Sequence, residues 1–520
     1  MRTSGEAAPS DPRLEELREN VSAYRLLREE LERAVLPLAS SLDGLTFEFQ
    51  ASLHDLPYRS GGYVVLESPS GWRLGQVVIL EMSTYAAAAE VAPGAGTDVT
   101  IRYARGRGTV LQTDGASFHD AHVRPATPEE VAAWLATRVR ADRAGLTLGE
   151  YLMAPGVPAT LDSGGLTRHT LVCGQSGSGK TYSLGLLLER VLAETAIQVV
   201  VLDPNSDYVG LGSLLEGADP GLAARYAHVA DEVAVWRDTD TAEHRLRLRF
   251  ADLLPSVQAA VLGLDPIADR EEYSELVDLV QAQRRGASAV TTAEDLLTAD
   301  SPRARQLGQR AMNLGVLGWQ VWDPQAPSLL AALRLREHRC TIVDLGSLDT
   351  VGEQRLVAQA VLSTLWQLGA ERVPCLLVVD EAHNIMPGQP EDALTRLSTE
   401  RAVQVAAEGR KYGLHLLCST QQPHKVHENV VSQCDNLMLM RMNSRADIAD
   451  LMRFFSFVPE GLMSRATTFG MGQALVAGRL LPEPAFVRMG QRITHEGGVD
   501  VSASWAAPRQ HGHEAVHETS

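Results

Sequence analysis

The chain has 520 residues, of which 45% are hydrophobic and 5% aromatic, and its formal net charge is −18 at pH 7. Such a length and apolar content predict about two to four domains around a large core, and the acidic balance weighs mildly against a protein that coats nucleic acid with a global basic field, while leaving room for a ring that grips DNA with a few arginines in a central channel. Cys173, Cys340, Cys375, Cys418 and Cys434 form no CxxC pair, so buried free thiols are expected, and the lack of a signal peptide or a membrane-length apolar run predicts a soluble, cytoplasmic protein.

Residues 1–10 read as disordered. Asp11 as N-cap and Pro12 at the first helical position predict a helix over residues 12–38. Its apolar residues, Leu14, Leu17, Val21, Tyr24, Leu31, Val35 and Leu38, alternate by three and four except at Arg28. The stripe suits either a helix packed on its own domain or a seam for a neighbouring subunit or partner. Residues 1–44 are therefore set apart as an N-terminal unit. From 45 to 126 the pattern changes to short runs with Gly and Pro turns: Phe47 and Phe49 alternating with polar residues, then 63–66, 74–80, 99–103 and 108–111. A small β-barrel is predicted. Arg102, Arg105 and Arg107 read as a basic patch on it or as a solvated turn. Residues 127–150 read as helical, opening on the capping-box-like Thr127-Pro128-Glu129-Glu130, and begin a domain that runs to 490.

That domain carries Gly174-Gln175-Ser176-Gly177-Ser178-Gly179-Lys180-Thr181, which fits G-x-x-x-x-G-K-[ST] at every fixed position. Residues 170–173 before it read as a buried strand, and 182–192 after it as a helix. Strand, Gly-rich turn and helix N-terminus make a phosphate cradle for a nucleotide such as ATP. The glycines let backbone N–H groups close around the β-phosphate, Lys180 reaches the β- and γ-phosphates, and Thr181 holds Mg²⁺. Gly174, Ser176, Gly177, Ser178, Gly179, Lys180, Thr181 and Tyr182 are the candidate contacts. Only three lysines occur, Lys180, Lys411 and Lys425. Arginine supplies the remaining positive charge, so a lysine here answers a need for a compact point charge.

A second strand, 197–202, ends in Asp203-Pro204-Asn205-Ser206-Asp207-Tyr208. A carboxylate at the carboxyl end of a core strand faces the nucleotide crevice of an open α/β sheet. Asp203 thus reads as a group that orients metal-bound water or a neighbour's arginine, or else as a turn-forming residue. Residues from about 211 to 330 are expected to form a helical insertion. Strand returns over 338–345, ending at Asp344, and a helix follows over 354–368. Cys375-Leu376-Leu377-Val378-Val379-Asp380-Glu381-Ala382-His383 has the Walker B form: Asp380 would bind Mg²⁺ through water and Glu381 would polarise the attacking water. Glu408-Gly409-Arg410-Lys411-Tyr412-Gly413 precedes a strand and then Ser419-Thr420-Gln421-Gln422-Pro423. Gln421 is placed to contact the γ-phosphate or its water. Arg410 reads as an arginine finger acting in trans or as an exposed helix arginine. Residues 491–520, with His511, His513 and His517, read as an irregular tail and not as a metal site.

Several of these segments together resemble one family. They are Arg168-His169, Asp203-Pro204, Asp380-Glu381-Ala382-His383, Glu408-Gly409-Arg410-Lys411-Tyr412-Gly413 and Ser419-Thr420-Gln421-Gln422-Pro423, extended by Ser432-Gln433-Cys434 and Gly472-Gln473-Ala474-Leu475-Val476-Ala477-Gly478. The chain is similar to the HerA family, the bacterial and archaeal DNA-translocating ATPases of the FtsK–HerA branch, over roughly residues 45 to 490. The resemblance implies an α/β fold: a RecA-like P-loop ATPase core with its helical insertion, preceded by a small N-terminal β-barrel of the HAS type. It implies a homohexameric ring that uses ATP and Mg²⁺ to draw double-stranded DNA through its pore. It also implies a partner on the barrel, either a NurA-like nuclease or a defence effector such as a sirtuin-type NADase. By the same likeness Lys180 and Thr181 bind the phosphates and Mg²⁺, Asp380 and Glu381 form the Walker B pair, Gln421 is the sensor, and Arg410 is the finger from the adjacent subunit, with Arg168 serving the same site. The long helix before the barrel departs from the family pattern and bears on the choice of partner. Two readings compete with a translocase: an ATPase that mainly scaffolds and gates an anti-phage effector, and an unrelated nucleotide-dependent binding module.

Overall fold

Alternating and continuous apolar patterns sort the strands into two sheets. The computed structural model describes residues 12–498, apart from 70, 93–94, 113–114, 286–293 and 324–326. Residues 1–11, the side chains of Leu14 and Leu17, and the histidines at 511, 513 and 517 lie outside the described residues.

In the first sheet, β1 (Leu38–Ser41), β2 (Thr46–Ala51), β3 (Tyr63–Ser68), β4 (Gly71–Ala92), β5 (Ala95–Val110) and β6 (Phe118–Pro125) close into a barrel in the order β1-β2-β5-β4-β3-β6. Phe47, Phe49 and Ala51 of β2 are buried while Thr46, Glu48 and Gln50 are exposed, the period of two that a closed sheet requires. The runs at 99–103 and 108–111 belong to one strand. Pairing of β4 with β5 continues out to Ala92 opposite Ala95. Only residues 71–76 of β4 and 104–109 of β5 also pair with other barrel strands, so beyond Met82 and Ala104 the hairpin is a two-stranded arm. Gly106 and Gly108 press against the rings of Phe49 and Phe47, where any Cβ would collide. The arginines between and beside them therefore point outward. They lie on a strand and not in a turn, and each meets an acid: Arg102 with Glu32 (3.6 Å), Arg105 with Glu48 (2.6 Å) and Arg107 with Glu81 (4.0 Å).

The first helix, α1 (Pro12–Arg33), is shorter than its apolar stripe predicts. Leu38 opens β1, so the expected unit boundary at 44 falls after the first barrel strand. Glu32 is buried against the arm, accepting from the Arg102 backbone N–H and from Arg28 Nε, both at 3.0 Å. Upstream, Val21 and Leu26 stay exposed. Glu32→Ala leaves the Arg102 N–H without its acceptor. We expect faster protease cleavage within α1 in this variant, with the melting of the remaining chain unchanged; cleavage at the wild-type rate would show that the helix is held by other contacts.

Thr127 and Glu130 do form a reciprocal capping box, opening α2 (Pro128–Ala136). The helix stops there. Residues 145–150, expected as helix, fall in strand β7 (Gly145–Tyr151), because Leu146, Leu148 and Tyr151 must reach the core of the second sheet. The remaining strands of that sheet are β8 (Pro158–Asp162), β9 (His169–Cys173), β10 (Gln198–Asp203), β11 (Val233–Arg237), β12 (His244–Arg245), β13 (Cys340–Asp344), β14 (Cys375–Val379), β15 (Leu414–Thr420), β16 (Cys434–Met440), β17 (Gln473–Ala477) and β18 (Ala485–Met489). Their order is β12-β11-β13-β10-β14-β15-β9-β16-β17-β18-β7-β8. From β12 to β16 the pairings are parallel, and from β16 to β8 they are antiparallel. Every residue of β9, β13, β14 and β15 is buried, because a parallel sheet is covered on both faces and its strands read as unbroken apolar runs.

Helices α3 (Lys180–Glu194), α4 (Pro220–Ala230), α9 (Val351–Leu368) and α10 (Ala393–Glu408) pack on the sheet, and α5 (Pro255–Val261), α6 (Arg270–Arg284), α7 (Pro302–Asn313) and α8 (Leu329–Leu335) build most of the insert. The insert is not helical throughout, since it supplies β11 and β12. Residues 491–498 are irregular, as expected, but they pack on the domain beyond its expected end at 490. Glu189 of α3 is fully buried and accepts from the Ile493 N–H (3.1 Å), the Thr494 N–H (2.9 Å) and Thr494 Oγ1 (2.6 Å). A buried carboxylate must be satisfied, and this one fixes the segment as a strap across α3, so the core continues past 490. The barrel sits against the antiparallel strands through Gln76 Nε2, which donates to the Pro484 carbonyl (3.0 Å), and Tyr63, edge-on to Tyr151. All five cysteines are free and buried. Among the described residues no helix is long and apolar enough to cross a membrane.

Candidate nucleotide site

Strand β9 ends at Cys173, and after six intervening residues the chain enters α3 at Lys180. Gly177 (φ 71°) and Gly179 (φ 89°) occupy the left-handed region, where a side chain is strained. A Cβ on Gly174 would stand 2.6 Å from Ser178 Oγ and 2.9 Å from Met440 Cβ. Ser176 and Gly177 are exposed at the tip, while Ser178 is buried. Neighbouring segments hold the loop open. Gln175 N–H donates to the Arg441 carbonyl (3.0 Å), Arg441 Nη2 to the Gly177 carbonyl (3.2 Å), and Gly472 N–H to the Ser178 carbonyl (3.0 Å).

The sheet register sets the opposite wall. Asp203 pairs with Asp344, Leu202 with Val379, and Val379 with Cys418, so Asp344, Asp203, Asp380 and Ser419 stand in a row along the carboxyl edge. Lys180 Nζ donates to Asp380 Oδ1 (2.7 Å) and Ser419 Oγ (2.9 Å) and lies 3.1 Å from Glu381 Oε1. Burial pushes this ammonium down, but Asp380 and Glu381 outweigh it, and its pKa lies above the ordinary lysine value. Glu381 itself has φ 41°. A non-glycine residue held there costs about 1–3 kcal/mol, and the conformation accompanies a carboxylate turned back onto Lys180. Gln421 Nε2 donates to Glu381 Oε1 (2.8 Å). His383 Nδ1 is 3.3 Å from Glu381 Oε2 and 3.1 Å from Thr420 Oγ1, and burial lowers its pKa despite Glu381.

Lys180, Asp380, Glu381 and Gln421 thus converge, and Thr181 lies beside them. Asp203 does not face them. Its carboxylate is taken up by the N–H groups of Asn205 (3.2 Å), Asp207 (3.0 Å) and Tyr208 (2.8 Å), the turn-forming alternative, and burial pushes it up to about 7. The groups its loop presents to the site are Asp207, which accepts from Thr181 Oγ1 (3.4 Å), and Tyr208, whose hydroxyl donates to Asp380 Oδ2 (3.3 Å). Burial, then the charge of Asp380, pushes Asp207 up to about 6. Neither residue was singled out from sequence, although an acid and a phenol so soon after a core strand were a usable signal. Tyr182 is turned toward the strap: its hydroxyl accepts from the Arg492 N–H (2.8 Å), and the Arg492 guanidinium lies over its ring.

Arg410 and Arg168 come together at the other edge of the sheet. Their Nη1 atoms donate to the same Asp435 Oδ2, at 3.0 and 3.2 Å. The seven residues of β15 separate Arg410 from Gln421, about 20 Å at strand rise, so neither arginine reaches this chain's own phosphate loop. Asp435 gave no signal in the sequence. Among the described residues no cluster of three or more His, Cys, Asp or Glu could hold a metal alone. The Thr181 hydroxyl and the Asp380 carboxylate are hard oxygen donors, suited to a Mg²⁺ ion that brings phosphate and water as its other ligands.

A family model described as helicase HerA, central domain, matches residues 146–313. The chain is 22% identical over 390 residues to the DNA double-strand break repair helicase HerA of Pyrococcus furiosus, covering 66% of this chain and 69% of that protein. It is 26% identical over 406 residues to a probable DNA double-strand break repair helicase HerA of Methanocaldococcus jannaschii, covering 69% and 78%. A partial backbone likeness, TM-score 0.46 at 16% identity, relates 68% of the chain to 97% of VirB4 from Thermoanaerobacter pseudethanolicus. The phosphate loop and its facing pair of acids thus sit in a chain whose residues 146–313 match the HerA central-domain model and which is similar, at low identity, to HerA helicases.

Proposed function

We propose that this chain is an ATP-driven motor acting on double-stranded DNA as a homohexameric ring. The observation that carries the reading is the convergence of Lys180, Asp380, Glu381 and Gln421 at the phosphate loop. In this reading backbone N–H groups of residues 174–179 receive the β-phosphate, and Lys180 leaves its two acids for the β- and γ-phosphates. Thr181 and Asp380 face Mg²⁺, which neutralises phosphate charge. Glu381, freed from Lys180, orients and deprotonates the attacking water, and Gln421 links Glu381 to the γ-phosphate. Arg410, with Arg168, serves a neighbouring subunit's nucleotide, a role their distance from this chain's own loop supports. Duplex DNA as substrate is supported by the names of the helicase relatives. The barrel with α1 offers the docking face for a partner, a NurA-like nuclease or a defence effector, in the cytoplasm.

The test mixes subunits. Arg410→Ala and Glu381→Gln chains are each expected to be inactive alone. In randomly mixed rings about a quarter of the interfaces regain an intact pair, and hydrolysis should recover in proportion and rise on adding duplex DNA. No recovery in verified mixed rings would give Arg410 a structural or same-chain role, and turnover indifferent to DNA would remove the motor reading.

A further inference from the structure

We propose that Asp207 and Tyr208 are positioning residues for the cation that accompanies the nucleotide, presetting Thr181 and Asp380 before the ligand arrives; this rests on the ATPase reading above. Asp380 is held by two hydrogen bonds on different oxygens: Lys180 Nζ on Oδ1 (2.7 Å) and the Tyr208 hydroxyl on Oδ2 (3.3 Å). When Lys180 moves to the phosphates, Oδ1 becomes available to a hydrated cation. The tyrosine then keeps the carboxylate from rotating, as outer partners of metal-facing groups do. Thr181 is treated in parallel. By donating its proton to Asp207 Oδ2 (3.4 Å), its hydroxyl turns its lone pairs outward, the orientation a hard cation needs.

The loop that carries both residues is fixed from three sides. Asp203 caps it from within. Ser206 Oγ donates to Asp344 Oδ1 (2.7 Å), and Gly497 N–H of the strap donates to the Asp207 carbonyl (3.0 Å). Tyr208 is fully buried, so its hydroxyl has no freedom to serve elsewhere.

The experiment uses full-length Tyr208→Phe and Asp207→Asn chains and a fluorescent non-hydrolysable ATP analogue. Affinity is measured in EDTA and across a Mg²⁺ titration, with melting curves alongside. Both variants are expected to bind the analogue like wild type in EDTA, while the Mg²⁺ concentration for half-maximal tightening rises about 10- to 100-fold. The same Mg²⁺ midpoint as wild type in both variants would overturn the proposal, as would an equal loss of affinity with and without Mg²⁺, which marks a packing role. Should wild type itself fail to bind the analogue, the ATPase reading falls; should it bind with a Mg²⁺ dependence that the variants share, only this proposal falls.

Discussion

Lys180→Ala is expected to weaken ATP binding by at least about 100-fold, since charge-assisted hydrogen bonds are worth about 1.5–3 kcal/mol each and two phosphates lose their cation. The geometry adds a second, separate effect. Asp380 is fully buried and Glu381 nearly so, and Lys180 is the cation between them. Removing it strands two like charges in a site with little water, and breaking a buried pair costs about 3–5 kcal/mol. The nucleotide-free variant should therefore melt well below wild type, and a second substitution, Asp380→Asn, should recover part of that loss without restoring binding. Titration with a fluorescent ATP analogue reads the first effect and a thermal melt the second. Wild-type affinity in the alanine variant would end the phosphate-loop assignment.

Glu381→Gln separates binding from chemistry. The amide keeps the size of the carboxylate and can still meet Gln421, but it cannot take a proton from water. Hydrolysis should fall by about 10²–10⁴-fold, the usual contribution of a positioned general base, while nucleotide affinity stays within a few-fold of wild type. Affinity should even rise slightly, because Lys180 gives up one partner fewer on moving to the phosphates. Single-turnover hydrolysis with the analogue titration alongside decides it; turnover near the wild-type rate would place the base elsewhere.

Much of this site was legible because its parts are local. The Gly-rich loop follows β9, and the five apolar residues before Asp380 form β14; both are parallel strands buried on both faces, and such strands announce themselves as unbroken apolar runs. Gln421 was legible for the same reason. The rest depends on folded geometry. Asp203 and Asp207 are both acids after the same strand, and only the folded turn shows that the first spends its oxygens on its own loop while the second meets Thr181. The strap at 491–498 has no periodicity of its own and is held by Glu189, some three hundred residues upstream. Strand β7 was a different failure. Leu146 and Leu148 alternate with polar or small residues at the strand period, but the capping box before them drew the helix too far.

The twelve-stranded sheet joins distant parts of the chain. Strand β7 pairs only with β8 and with β18, so an edge made near residue 150 waits for a partner made near residue 487. The strap that pins Asp207 comes later still. A ribosome adding about 5–20 residues per second therefore exposes the phosphate loop and its first two core strands many seconds before the far wall exists. The barrel, whose strands all lie within residues 38–125, can close during that interval. The nucleotide site cannot, so the growing chain carries a closed barrel while its phosphate loop still waits for the strands that bring Asp380, Glu381 and Gln421.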